Sequence, residues 1–274
     1  MSEHGLFDIA AYSDVGTERG HNEDACGTLA AAGGVVAVVA DGVSSGAAGE
    51  EASQKAVEVT LRSFEEQGQA VALGKRLVQS VQQANIEIYD RALVVPELRG
   101  MSTTVTALAL EGGELVAAHV GDSRLYLVRE GRATQLTKDH TVTAERVRLG
   151  VLSEKRARFH PDRSTLTRSL GRELIVAVDR LSTRVRQDDV LIVCTDGLYN
   201  VLEPEEMVEV LSRQGAHSAS RSLVEAANAR GTPDNVTAAV VRVVGAVPAP
   251  PAPTGLMGRL RGVFGRGPRG GEMR

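Results

Sequence analysis

Two four-residue turns constrain this chain more than any other feature. EGGE at 111–114 separates the apolar runs 103–110 and 115–120, and REGR at 129–132 closes the run 124–128. Runs joined by turns this short pair antiparallel, because a parallel return needs a crossover of a dozen residues or more. The runs 35–40, 190–195 and 236–244 are equally short and β-branched, with Gly and Asp as punctuation. Two helices are predicted beside them. Ala48, Ala52, Ala56 and Val59 form one apolar stripe; Leu77, Val81, Ala84 and Ile88 form another. A third helix is predicted from Pro204, with Met207, Val208 and Leu211 inward, and a fourth over 218–229. Hairpin strands interrupted by adjacent helices predict an α+β fold with helices on the sheet faces, not a doubly wound parallel sheet.

Composition narrows the function. The 274 residues are 42% hydrophobic and 24% charged, which suits a substantial globular core. A net charge of −4 argues against a non-specific grip on nucleic-acid phosphates. With no Trp and four Phe, a stacking platform for single strands is not expected either. Cys26 and Cys194 form no CxxC and fit a reducing cytosol. The opening residues MSEHGLFDIAAYSD lack a basic-then-apolar signal, and no apolar run approaches the ~20 residues of a membrane helix. A cytoplasmic monomer is expected. Composition shifts near Gly245. Residues 246–274 hold five Arg and one Glu, leaving −8 on the rest, and are rich in Pro and Gly. The reading is a body over 1–245 and a disordered basic tail over 246–274. Wound as a helix, Leu256, Leu260, Val263 and Phe264 would share a side flanked by Arg259 and Arg266. That stretch raises peripheral membrane contact as an expectation, although its glycines oppose a helix.

Acidic residues repeat one placement. Apolar runs lead into Asp41-Gly42, into Gly121-Asp122 and into Asp196-Gly197. Asp234-Asn235 precedes the run from Val236, and Glu23-Asp24 follows an early strand and turn. One Asp-Gly after a strand is ordinarily a turn. Four or five in one domain point instead to carboxylates delivered to one spot, where their repulsion calls for a cation. The candidate ligands are all oxygen donors, which selects Mg²⁺ or Mn²⁺ over zinc.

The residues Arg19-Gly20-His21-Asn22-Glu23-Asp24, Asp41-Gly42, Ser102-Thr103-Thr104, Gly121-Asp122-Ser123-Arg124, Asp139-His140, Leu166-Thr167-Arg168, Asp196-Gly197-Leu198 and Asp234-Asn235-Val236-Thr237 together resemble the metal-dependent protein phosphatase family of the 2C type, in its compact bacterial form. The matches run in family order from about Asp8 to Val244. The resemblance implies a four-layer α-β-β-α sandwich with two central antiparallel sheets. It implies two Mn²⁺ or Mg²⁺ ions, with Asp41 bridging them, the Gly42 carbonyl on one, and Asp24, Asp196 and Asp234 completing the other. Asp122, with Asp196, would hold a third and weaker ion. Arg19 would take the substrate phosphate, for which a planar guanidinium fork is suited. The implied activity is hydrolysis of phosphoserine and phosphothreonine in proteins, opposing a Ser/Thr kinase. A phosphoprotein-binding pseudophosphatase, or the same chemistry on an anti-sigma-factor antagonist, are the alternatives.

The sequence departs from the family after Asp41-Gly42, where Val43-Ser44-Ser45-Gly46 replaces a His-containing stretch. No protein general acid stands at that point. His140 and His160 are expected to cap and fix loops. Residues 141–163 correspond to the family's flap, and their Arg and Lys residues suggest phosphoprotein docking, against the default of a solvated charged face.

Overall fold

The computed structural model describes residues 3–31, 33–43, 47–211 and 214–247. Its elements are, in chain order, β1 (Phe7–Asp14), β2 (Asp24–Ala31), β3 (Gly34–Asp41), α1 (Ala47–Gln67), α2 (Leu73–Val94), β4 (Val105–Glu111), β5 (Glu114–Val120), β6 (Arg124–Arg129) and β7 (Arg132–Gln135). There follow α3 (Val142–Arg148), α4 (Glu154–Ala157), β8 (Asp179–Arg184), β9 (Val190–Cys194), α5 (Asp196–Tyr199), α6 (Pro204–Val210), α7 (Ala216–Ala229) and β10 (Val236–Val243). The basic tail expected from sequence lies outside the described residues from 248 onward, and so do Ser44 and Ser45.

Every strand pairing is antiparallel, as the short turns require. One sheet has the order β1-β10-β9-β6-β7 and the other β2-β3-β4-β5-β8. Both expected hairpins are present. Gly112 and Gly113 have φ of 53° and 81°, and Glu130 and Gly131 have 52° and 75°. Two successive positive φ values match the right-handed twist of the strands they join.

The sheets face each other, and helices cover their outer sides. Alternate residues of β3 show why its run is apolar throughout. Val35, Ala37 and Val39 pack between the sheets against Leu108, Leu125 and Val193. Val36, Val38 and Ala40 pack outward against the helical layer of Leu77, Val81 and Ile88 from α2. A strand buried on both faces has no polar alternation to show. On the far side, Ile192 and Val240 meet Met207 of α6 and Leu223 and Val224 of α7. The four-layer α-β-β-α sandwich is therefore present.

Several elements depart from the sequence reading in detail, β2 and β7 among them, since neither was an expected run. The helix read from 218 begins at Ala216, whose N–H donates to Asp8 Oδ2 at 2.7 Å. β8, with the sequence DRLSTR, was not among the expected runs. It is an edge strand on β5 and is largely exposed, so its side chains carry little apolar signal. The expected flap consists of α3, α4 and a 3-10 turn at Pro161–Ser164.

Candidate metal centre

All the singled-out acids gather at one end of the sandwich. Asp24 opens β2, Asp41 ends β3, and the two are partners across the β2–β3 ladder. Asp122 sits where the chain crosses from β5 in one sheet to β6 in the other. Asp196 follows β9 and opens α5, and Asp234 stands two residues before β10. Both sheets thus contribute carboxylates to the same rim. A cleft of about 610 Å³ opens there, and Asp41, Asp122, Asp196, Asp234, Gly42 and Arg19 all line it.

The electrostatics follow from this convergence. Burial holds the carboxyl of Asp41 well above the ordinary range, and the charges of Asp24, Asp196, Asp122 and Asp234 push it further. Asp122 is raised the same way, by burial and then by Asp196. Asp196 is pushed up to about 6 by burial and by Asp234. Groups that repel each other this strongly call for positive charge between them. The donor set is entirely oxygen, which fits Mg²⁺ or Mn²⁺. Among the described residues no three carboxylates are close enough to enclose one ion by themselves. Such ions commonly keep several of their waters, so a rim that supplies one or two carboxylates to each is compatible with them.

Asp24 sits directly across the β2–β3 ladder from Asp41. It does not line the cleft; its Oδ2 accepts hydrogen bonds from the hydroxyls of Thr195 and Thr237, each at 2.7 Å. Burial pushes its carboxyl up to about 7 despite those two donors. The segment before it divides between the cleft and the interior. Arg19, His21 and Glu23 line the cleft, while Asn22 Nδ2 turns inward to Ser13 Oγ and Asp24 to the threonines. Residues 19–23 form a bent loop ahead of β2, and Gly20 lies at the cleft as well.

The remaining motif residues hold this rim in place. Asn235 Oδ1 accepts the Glu23 N–H at 2.8 Å, and its Nδ2 donates to the carbonyls of Val15 and His21. Thr104 Oγ1 accepts the Asp41 N–H at 3.0 Å, and Thr103 Oγ1 donates to the Asp41 carbonyl at 2.8 Å. The Tyr199 hydroxyl donates to the Asp122 carbonyl at 3.1 Å. Arg124 lies over the Tyr199 ring and grips Asp139 with two nitrogens. Gly42 has no room for a side chain, because a Cβ would run into the Gly49 backbone in α1. His140 Nδ1 accepts the Gly121 N–H, and His160 Nδ1 accepts the Asp162 N–H, so both histidines fix loops as expected.

Arg19 sits at the mouth with its side chain about half exposed, and its Nη2 donates to Asp234 Oδ2 at 2.9 Å. Partial burial opposes its charge, and the carboxylates of Asp234, Glu23 and Asp196 outweigh that cost. Cys194 is buried in β9, where burial pushes its thiol up to about 12. On the flap, Arg146, Arg148 and Arg158 pair with Asp162, Glu145 and Glu203.

The sequence matches the family model described as Protein phosphatase 2C over residues 17–229. The chain belongs to the protein phosphatase 2C family. Among its 2C-type relatives, the serine/threonine phosphatase stp of Listeria monocytogenes is 34% identical over 234 residues, covering 84% of this chain and 93% of that protein. PstP of Mycobacterium tuberculosis is 36% identical over 236 residues, or 86% of this chain but 45% of the longer PstP. The crystal structure of the M. tuberculosis PstP/Ppp phosphatase superposes with a TM-score of 0.79 at 34% identity, covering 87% of this chain and 99% of the other. A second PstP structure, of the catalytic domain in complex with two manganese ions, gives a TM-score of 0.77 at 33% identity, over 87% of this chain and 99% of that one. The 2C-type fold expected from the motifs is thereby established for this chain.

Sequence reasoning placed Asp41, Asp122, Asp196, Asp234 and Arg19 at the cleft, and the structure brings these together. That reasoning counted Glu23 among the acids without giving it a role, and gave none to His21, although both line the cleft. Their place depends on the bent loop over residues 19–23, which the sequence does not announce.

Proposed function

We propose that this chain hydrolyses phosphoserine and phosphothreonine in proteins with the aid of two Mn²⁺ or Mg²⁺ ions. The observation that carries the reading is the meeting of four mutually repelling carboxylates from two sheets around a cleft with a guanidinium at its mouth. Asp41 is central to the set and would be shared between the ions, with the Gly42 carbonyl on one side and Asp196 and Asp234 on the other. Asp122 and Asp196 would hold a third ion. Asp24 acts from behind, keeping negative charge and two threonine hydroxyls against the ligands. When bound, the ions supply a water of lowered pKa as nucleophile and charge to offset that on the phosphoryl oxygens. Arg19 positions the phosphate, its planar fork spanning two oxygens as a lysine cannot. No nucleophilic cysteine is required, and Cys194 is sealed in the core away from the cleft.

The biological partners follow from the chemistry: phosphorylated proteins, and a Ser/Thr kinase whose products this enzyme reverses in the cytosol. The catalytic unit is residues 1–245, acting as a monomer. Among the described residues no helix is long and apolar enough to cross a membrane. The deciding experiment is release of phosphate from a phosphothreonine peptide during Mn²⁺ titration, followed by chelation. Metal-dependent turnover that chelation abolishes is expected. Absence of release at any Mn²⁺ or Mg²⁺ concentration overturns the reading.

A further inference from the structure

Breaking the bond from phosphorus to a seryl or threonyl oxygen leaves charge on a poor leaving group, so a proton donor at that oxygen lowers the barrier. The residue after Gly42 is Val43, which lines the cleft but carries no proton to give. Other histidines near this end of the sandwich are committed elsewhere. His119 is buried, with its ring nitrogens toward the Thr106 hydroxyl and the Lys138 carbonyl. His140 accepts from the Gly121 N–H and faces Arg168 and Asp179, and His160 accepts from the Asp162 N–H.

His21 is placed differently. Its exposed ring lines the same cleft as Arg19, Asp41, Asp196 and Asp234. It stands two residues after Arg19 in the same bent loop, and both residues line the cleft. Its backbone is fixed, because Asn235 Nδ2 donates to the His21 carbonyl at 2.9 Å. A donor on a pinned backbone with a free ring can reach an oxygen leaving the phosphate that Arg19 holds.

We propose that His21 is the proton donor to the leaving seryl or threonyl oxygen, an assignment that rests on the phosphatase reading above. As the water oxygen bonds to phosphorus, the bond from phosphorus to the alkyl oxygen breaks and its electron pair goes to that oxygen. The imidazolium proton moves to the same oxygen, the alcohol departs, and the neutral ring regains a proton from solvent.

The test is the dependence of turnover on the leaving group. Mn²⁺-loaded wild type and His21→Gln are compared on p-nitrophenyl phosphate, phenyl phosphate and a phosphothreonine peptide. The kcat deficit of the variant should deepen along that series, reaching on the order of a hundredfold on the peptide. KM for phenyl phosphate should scarcely move. An equal deficit on all three substrates, or no deficit on any, overturns the proposal, as does a deficit confined to the peptide with the two aryl esters equal. Wild type that turns over none of the three overturns the phosphatase reading, and this assignment falls with it.

Discussion

Asp24 shows how a single side chain can serve chemistry at the expense of stability. Its carboxyl is buried, and burial pushes it up to about 7. A carboxyl raised in the fold supports folding only while protonated, and that support is lost as pH climbs from about 3.8 toward 7. Asp24→Asn keeps an oxygen for the two threonine hydroxyls and removes the charge. Metal-free Asp24→Asn should therefore melt several degrees above metal-free wild type at pH 8, by calorimetry. Its Mn²⁺-dependent kcat/KM should fall by about ten- to a hundredfold, the usual cost of disturbing groups behind a metal site. Asp41→Ala and Asp234→Ala should abolish phosphate release while keeping the far-ultraviolet circular dichroism of the wild type. Most of the rim was legible in the sequence because Asp41, Asp122, Asp196 and Asp234 each adjoin a recognisable apolar strand. The inward turn of Asp24 was not, because it depends on the hydroxyls of Thr195 and Thr237, more than 170 residues away in the chain.

At the scale of elements, close approaches of backbone fix where the ligands stand. Gly197, the second residue of α5, lies directly against the start of β10, and a Cβ there would collide with the Asn235 carbonyl. Thr232 Oγ1 ties down the Gly197 carbonyl at 2.9 Å from the other side. Gly197→Ala must push Asp196 and Asp234 apart. A loss of about 1–3 kcal/mol in urea unfolding is expected, with a matching drop in Mn²⁺ affinity by isothermal titration. The long elements were plain from sequence: α1 and α2 from their apolar stripes, β3 and β10 from short β-branched runs punctuated by Gly and Asp. β8 was not, because an edge strand is held by main-chain pairing to β5 and needs no apolar side chains. The short flap helices likewise show too few turns for a period to register, although the segment itself was recognisable from its position after Asp139-His140.

For the whole molecule, the acids tie stability to cation supply. Asp41 and Asp122 are raised along with Asp24 and Asp196, so several groups weaken the metal-free fold together as pH rises from about 4 to 7. His119 works in the opposite direction. Burial lowers it from 6.5 to about 4, so the fold loses that contribution as pH falls through the same interval. Mn²⁺ should accordingly raise the melting temperature more at pH 8 than at pH 5, where protons compete for its ligands. Equal increments at both pH values would contradict the account. The two sheets meet this demand from opposite sides: Asp41 comes from one, Asp196 and Asp234 from the other. An ion seated among them is a clasp on an open book, fastening the covers at one edge while the spine is already glued by apolar packing. Starving the protein of divalent cations should thus loosen amide exchange at the fore-edge and leave the binding untouched.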